Sequence, residues 1–115
     1  MTATTAAPAI REFHRGTVLA YSYVVYNASM TPAGDQPNVS VQMKLFHNGQ
    51  LVSDGKPEPA KFEKQPDWTR AIDFAYLRLN PQVEPGDYTL QVIVRDLSSS
   101  NGAVSSQSVD FEVVP

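Results

Sequence analysis

The chain has 115 residues, of which 42% are hydrophobic, a formal net charge of −3 and no cysteine. A chain of this length and composition forms one domain with a single core, and no apolar run approaches the ~20 residues that a membrane span requires, so membrane insertion is not expected. Basic and acidic residues are interspersed without the basic stripe that a polyanion attracts, so nucleic acid is not an expected partner.

The N-terminal residues 1–8 have neither the basic region nor the apolar run of a secretory signal. They predict a disordered or linker lead-in, followed by a single β-domain over residues 9–115. Residues 9–13 are expected to form a first, edge strand before a turn at Gly16.

The next segment, residues 17–26, alternates with a period of two, which is typical of a strand. One face carries Leu19, Tyr21, Tyr23 and Val25, and the other face is also fairly apolar. We therefore expect a central strand, followed by a loop rich in proline and glycine.

Residues 39–45 show the same in-and-out pattern. Asn48-Gly49 then predicts a hairpin, because both residue types tolerate the positive φ angles of a type I′ turn. Residues 53–61 contain two prolines and a glycine and are expected to be irregular.

A further strand is predicted over residues 68–79, but its phase is mixed. Ile72 and Phe74 share one parity, whereas Leu77 and Leu79 share the other. A β-bulge near Ala75 would reconcile the two.

The clearest strand follows the Pro-Gly-Asp turn at residues 85–87. It begins with Tyr88, and the even-numbered positions from 88 to 94 are predicted to face the core. A tyrosine at the head of a late strand indicates a tyrosine corner, in which the hydroxyl bonds to the backbone of the crossover on which the tyrosine packs. A serine-rich loop at residues 97–102 then leads into a last strand that runs to Val114.

About seven short strands separated by turns are typical of an all-β, immunoglobulin-like or fibronectin-type-III-like Greek-key β-sandwich. A closed barrel is the alternative, but it would need more regular strand lengths.

Four segments also carry a resemblance to a known family: Phe13-His14-Arg15-Gly16, Tyr21-Ser22-Tyr23-Val24-Val25-Tyr26-Asn27-Ala28, Val41-Gln42-Met43-Lys44-Leu45-Phe46-His47-Asn48-Gly49 and Pro85-Gly86-Asp87-Tyr88-Thr89-Leu90-Gln91-Val92. Together they resemble the C-terminal β-sandwich module of bacterial, especially acidobacterial, proteins that carry a von Willebrand factor A-like domain. The resemblance implies a non-catalytic accessory domain of an exported protein, located in the extracellular space or periplasm. It implies no known ligand.

No catalytic or metal-binding constellation is evident. His14 and His47 lack a partner at metal-ligand spacing, and no nucleophile elbow presents a serine, so the chain is not expected to be an enzyme or to hold a cofactor. Calcium would need several convergent oxygen ligands, and whether a loop binds it stays open. The acids beside loops are more simply explained as solvated side chains: Asp35, Asp54, Asp67 and Asp96.

Aromatic side chains allow a carbohydrate-binding interpretation. Tyr23, Tyr26, Trp68 and Tyr76 would be its stacking platform, although aromatics on strands usually fill the core. Trp68 is the candidate ligand-binding residue, because its place between a turn and a strand allows it either to cover the core or to remain exposed.

Two functions follow. The first is a non-catalytic structural or protein-interaction module of a larger exported bacterial protein, which would contact neighbouring domains or a protein partner through loops or an unpaired edge strand. Its expected edges are residues 9–13 and the strand after Gly49. The alternative is a carbohydrate-binding module that uses exposed aromatics, with Trp68 as the principal residue.

Overall fold

The computed structural model of the chain describes residues 2–5, 12–98 and 102–115. These ranges form nine strands: β1 (Thr2–Thr5), β2 (Glu12–His14), β3 (Val18–Tyr26), β4 (Val39–His47), β5 (Gln50–Asp54), β6 (Glu58–Pro59), β7 (Arg70–Arg78), β8 (Gly86–Asp96) and β9 (Val104–Val114). They contain no helix, and hence none long and apolar enough to cross a membrane. The predicted all-β class is confirmed.

The strands form two sheets. The small sheet has the order β1-β3-β7, and the large sheet has the order β2-β9-β8-β4-β5, with the short β6 also paired to β4. Every pair is antiparallel except β2 and β9, which run parallel. β2 is therefore an edge strand that contains Phe13, as the sequence predicted, while residues 9–11 of that prediction lie outside the described ranges. The predicted edge after Gly49 is β5.

The two sheets pack against each other through one hydrophobic core, giving a sandwich-like arrangement. The small sheet contributes the predicted inward row of β3, and the large sheet contributes the even-numbered row of β8. These rows are almost completely buried and consist of Leu19, Tyr21, Tyr23 and Val25 together with Tyr88, Leu90, Val92 and Val94. Both alternations read from the sequence are confirmed.

The Asn48-Gly49 hairpin is also confirmed. Asn48 has a φ of 49° and Gly49 a φ of 80°, and the turn joins the paired residues His47 and Gln50 of β4 and β5. Two consecutive positive φ angles are what a type I′ turn requires, and its twist matches that of the flanking strands.

Two segments that the sequence predicted to be irregular contain strands. In the lead-in over residues 1–8, the Thr2–Thr5 backbone pairs with β3, and the remaining residues of that lead-in lie outside the described ranges. Within residues 53–61, β5 continues to Asp54 and Glu58–Pro59 pairs with β4. A proline is tolerated in β6 because an edge strand need not donate every N–H to a neighbour.

The bulge predicted near Ala75 is wrong. β3 and β7 pair in an unbroken register from Val18 opposite Arg78 to Tyr26 opposite Arg70. The odd-numbered residues of β7 face the core throughout, so that small Ala71 and Ala75 are buried.

Packing across the small sheet explains this unexpected phase. Tyr21 of β3 lies opposite Ala75, and Tyr23 lies opposite Asp73. The large buried tyrosines fill the interior beside the small inward positions of β7. The larger side chains of β7 therefore remain on the outer face.

Candidate functional site

β7 is an open edge of the small sheet. Among the strands of the described ranges it pairs only with β3, and its even-numbered residues direct their backbone groups away from β3. The orientation is visible at Ile72, whose N–H donates to Gln65 Oε1 at 2.8 Å and whose carbonyl accepts from Gln65 Nε2 at 2.7 Å. Because the pattern repeats every two residues, Phe74 and Tyr76 point the same groups outward. Nothing in the described ranges forms a hydrogen bond with the outward N–H and C=O groups of Phe74 and Tyr76.

Gln65 is held in place by the connection that passes from the large sheet to the small one. This crossover, residues 60–69, begins where the Ala60 N–H bonds to the Val39 carbonyl at 3.0 Å. It continues past Phe62, whose N–H donates to Gln36 Oε1 at 3.1 Å. Gln65 thus acts as a one-residue substitute for a neighbouring strand.

A groove of ≈ 960 Å³ lies between the crossover and β7. Its apolar lining includes Val41 and Met43 of β4 and Ala75 of β7, and residues of the β7 edge also contribute. The groove exists because the small sheet has three strands while the large sheet has five abreast, so the inner face of β4 is only partly covered at this side.

The lining also contains the polar residues Glu58, Lys61, Glu63, Lys64 and Gln65. At the floor of the small sheet, the Tyr23 hydroxyl donates a hydrogen bond of 2.5 Å to Asp73 Oδ2. Burial raises the pKa of Tyr23 far above its usual range, and the hydrogen bond to Asp73 and its negative charge act in the same direction. At neutral pH the phenol is therefore a proton donor to Asp73 and not a nucleophile.

The outer face of β7 is apolar. Ile72, Phe74 and Tyr76, which we call the outer patch, are 42%, 51% and 62% exposed. The rings of Phe74 and Tyr76 stack with centroids 6.5 Å apart and an angle of 30° between their planes. Sequence analysis missed this site, although the alternation of three large side chains at positions 72, 74 and 76 was a signal for it.

Trp68 lies elsewhere. It is half-buried and packs edge-to-face against Phe62, with ring centroids 6.2 Å apart and an interplanar angle of 81°. Phe62 in turn packs against the core. Trp68 is not among the residues that line the groove, and its position fits a cover over the core. Tyr23 is buried. Of the four aromatic residues considered for carbohydrate stacking, only Tyr76 is largely exposed.

The two histidines lie at separate places. His14 Nδ1 is 3.1 Å from the Pro115 carbonyl oxygen, while the His47 ring stacks on Tyr88 with centroids 4.3 Å apart. His47 Nδ1 also lies 3.1 Å from the carbonyl oxygen of Asp87. Both rings thus have local structural contacts.

Aspartates in or beside the loops likewise accept hydrogen bonds from other groups of the protein. Asp96 accepts hydrogen bonds from the N–H groups of Ser29 and Ser98 at 2.9 and 3.1 Å. Asp67 accepts from the N–H and hydroxyl of Thr69, and these bonds lower its pKa, assisted by the positive charge of Arg70. Within the described ranges, no three His, Cys, Asp or Glu side chains gather into a group that could hold a metal ion.

Comparison with known proteins adds information about the fold. No family model and no curated protein matches the chain. Among solved structures, it is similar to part of a family 123 glycoside hydrolase from Clostridium perfringens, with a TM-score of 0.59 and 14% identity over 97% of this chain and 27% of that one. It is also similar to the superoxide reductase neelaredoxin from Ignicoccus hospitalis, with a TM-score of 0.55 and 10% identity over 99% and 81% of the two chains.

At these identities the likeness concerns the fold alone. The chain spans about a quarter of the glycoside hydrolase, which is described as acting in glycolipid glycan hydrolysis.

Proposed function

We propose that this chain is a non-catalytic protein-interaction module that serves as an accessory domain of a larger, exported bacterial protein. We further propose that its fold is an immunoglobulin-like Greek-key sandwich. The strand order β1-β3-β7 facing β2-β9-β8-β4-β5 supports this, because it separates consecutive strands between two sheets as in immunoglobulin-like domains. The tyrosine corner at Tyr88 and the resemblance to modules of von Willebrand factor A-domain proteins agree with it.

The observation that carries the interaction role is the open edge of β7. Edge strands with unpaired N–H and C=O groups are templates for another strand, and natural proteins usually protect them with charges, prolines or a covering segment. Here the crossover protects Ile72 through Gln65, but it leaves Phe74 and Tyr76 open. An incoming strand would extend the small sheet by β-augmentation.

Both faces of such an added strand would find apolar surface. Side chains on one face would meet the outer patch, and those on the other would enter the groove beside Met43 and Ala75. Backbone hydrogen bonds would supply affinity of about 0.5–1.5 kcal/mol each, and the two apolar surfaces would supply selectivity for the side chains.

The test compares Tyr76→Pro with Tyr76→Ala. Both variants remove the exposed ring, but only proline removes the outward N–H, and the β3 ladder does not use that group. Peptides selected from a random display library on the wild-type chain should bind Tyr76→Ala more weakly and Tyr76→Pro not at all. Thermal melting of both variants establishes that they are folded.

A second readout does not depend on the variants. In the wild-type chain, a bound peptide should slow amide hydrogen exchange at Phe74 and Tyr76, because their N–H groups become bonded. Selected peptides that bind Tyr76→Pro as well as Tyr76→Ala, and leave both amides unprotected, would overturn the proposed docking edge.

The second candidate function is carbohydrate binding. The exposed, stacked rings of Phe74 and Tyr76 favour it, since sugar rings stack on aromatic surfaces, and one structural neighbour is named for glycan hydrolysis. Glycan-array screening of the wild type, Trp68→Ala and Tyr76→Ala tests it. A glycan lost only in Tyr76→Ala would assign sugar binding to the outer patch, and one lost only in Trp68→Ala would assign it to Trp68.

A further inference from the structure

On the outer face of the small sheet, the charged side chains of β3 and β7 are all positive. Arg70 and Arg78 are exposed and have the same parity as the outer patch, so the three apolar residues lie between two arginines. No Asp or Glu occupies an outward position of β3 or β7. Neither arginine forms an ion pair within the part of the chain that the structure describes. The carboxylate of Asp67 interacts with the positive charge of Arg70 and partly neutralises it. The positive charge of Arg78 is therefore the less compensated of the two.

The position of an added strand is restricted by Gln65. Because its side chain occupies both outward backbone groups of Ile72, a new strand can pair only from Phe74 onward. Its outward-facing side chains would then stand opposite Phe74, Tyr76 and Arg78 in turn, since residues on one face of a strand are two apart. Opposite side chains in such pairs are close enough to interact directly.

We propose, on the basis of the proposed docking function, that the β7 edge binds an extended peptide segment with a defined pattern. Its outward positions carry two apolar side chains, opposite Phe74 and Tyr76, and then an acidic side chain opposite Arg78. The residues between them are apolar and face the groove beside Ala75. The expected partner is therefore an extended, mainly apolar peptide segment with an Asp or Glu at the end that lies beside Arg78.

A second copy of this chain fits less well. Antiparallel pairing of two β7 strands centred on Phe74 would set Arg70 opposite Arg78 and would also require the groups of Ile72 that Gln65 occupies. Pairing centred on Tyr76 would set Arg78 opposite Phe74. Neither register supplies a carboxylate to Arg78, so charge complementarity favours a different segment.

The experiment selects a random peptide display library separately on the wild type, on Arg78→Glu and on Arg95→Glu. Arg95 is exposed on β8 of the large sheet, so its replacement changes the net charge equally at a distant site. The wild type and Arg95→Glu should enrich Asp or Glu two positions beyond the second apolar residue. Arg78→Glu should enrich Lys or Arg there instead.

Synthetic peptides from the wild-type selection give the size of the effect. Replacing the acidic residue with lysine should weaken binding about two- to fivefold, the range of an exposed ion pair, and the difference should shrink with added salt. The same motif on Arg78→Glu as on the wild type would overturn the acidic assignment. A wild-type dimer in sedimentation that Tyr76→Pro abolishes would overturn it in favour of a second copy.

The same measurements separate the acidic preference opposite Arg78 from strand addition at the β7 edge. Peptides without an acidic preference that nevertheless lose binding to Tyr76→Pro would leave the edge intact and remove only the partner class. Peptides that bind Tyr76→Pro undiminished would remove both.

Discussion

The Tyr88 hydroxyl donates a hydrogen bond of 2.6 Å to the carbonyl oxygen of Glu84, four residues upstream. This bond is the tyrosine corner that the Pro-Gly-Asp-Tyr sequence predicted. The Tyr88 ring stacks on Phe111 at 5.7 Å as well as on His47. Burial, and the charge of Glu84, raise the pKa of Tyr88, so the hydroxyl keeps its proton and remains a donor. The turn at residues 85–87 is thus tied to the core by one side chain.

Tyr88→Phe should lower the free energy of unfolding by about 1–2 kcal/mol, because the Glu84 carbonyl loses its partner while the ring packing is kept. Urea denaturation measures the loss. Tyr76→Phe is the control, since its exposed hydroxyl has no recorded partner within the described ranges and its removal should cost almost nothing. Equal stability of Tyr88→Phe and wild type would show that the corner does not stabilise the fold.

Gly86→Ala should destabilise the protein more than Gly34→Ala. Gly86 has a φ of 134°, and an added Cβ would lie 3.0 Å from Cε1 of His47. Gly34, with a φ of 72°, has nothing within 4 Å of such a Cβ, so its change costs only the backbone term of about 1 kcal/mol. We expect a further loss of about 1–2 kcal/mol at Gly86 from the strained backbone and the contact. Equal losses in urea denaturation would contradict this account.

Gln65→Ala should expose the Ile72 backbone while costing little stability, because the two hydrogen bonds lie at the surface. The measurement is amide hydrogen exchange by NMR, in which the Ile72 amide should exchange much faster. Gln65→Glu is the matched variant: its carboxylate can still accept from the Ile72 N–H but cannot donate to the Ile72 carbonyl. Slow exchange in Gln65→Glu and fast exchange in Gln65→Ala is the expected pattern, and unchanged protection in Gln65→Ala would contradict it.

Stability should fall at alkaline pH because of Tyr23. The folded state raises its pKa, so above about pH 10 the unfolded chain loses a proton that the folded chain retains. The unfolded state then binds fewer protons, and the free energy of unfolding decreases with pH by at most about 1.4 kcal/mol per pH unit for this group. Its contribution is fully present below that pH and is lost as pH rises.

Tyr23→Phe removes the titrating group and should flatten this decline, although Tyr88, whose pKa is also raised, leaves part of it. Urea denaturation of both proteins from neutral pH to about pH 11 tests the difference. At neutral pH Tyr23→Phe should itself be less stable, because Asp73 loses its hydrogen-bond donor. Parallel pH profiles would show that Tyr23 titrates alike in the folded and unfolded chains.

Local patterns determined several elements of this protein. The row Tyr88 to Val94 could be assigned to the core because its apolar side chains alternate with Thr89, Gln91 and Arg95, so that, apart from Ile93, only one face is apolar. The Asn48-Gly49 turn and the Tyr88 corner follow from backbone geometry and hydrogen bonding within a few residues. Such features are specified by neighbours in the chain and therefore need no knowledge of the tertiary fold.

The candidate site was decided by contacts between residues distant in sequence. In β7 both faces carry apolar residues, so alternation alone could not tell which face was inward. Tyr21 and Tyr23, about fifty residues earlier in the chain, fill the interior. They leave room inside only for a small residue such as Ala75, so Phe74 lies on the outer face. The pairing of β1 and of the proline-containing β6 depends in the same way on strands far along the chain. An open edge exists only once every strand has found its neighbours, and that is a property of the assembled sheets.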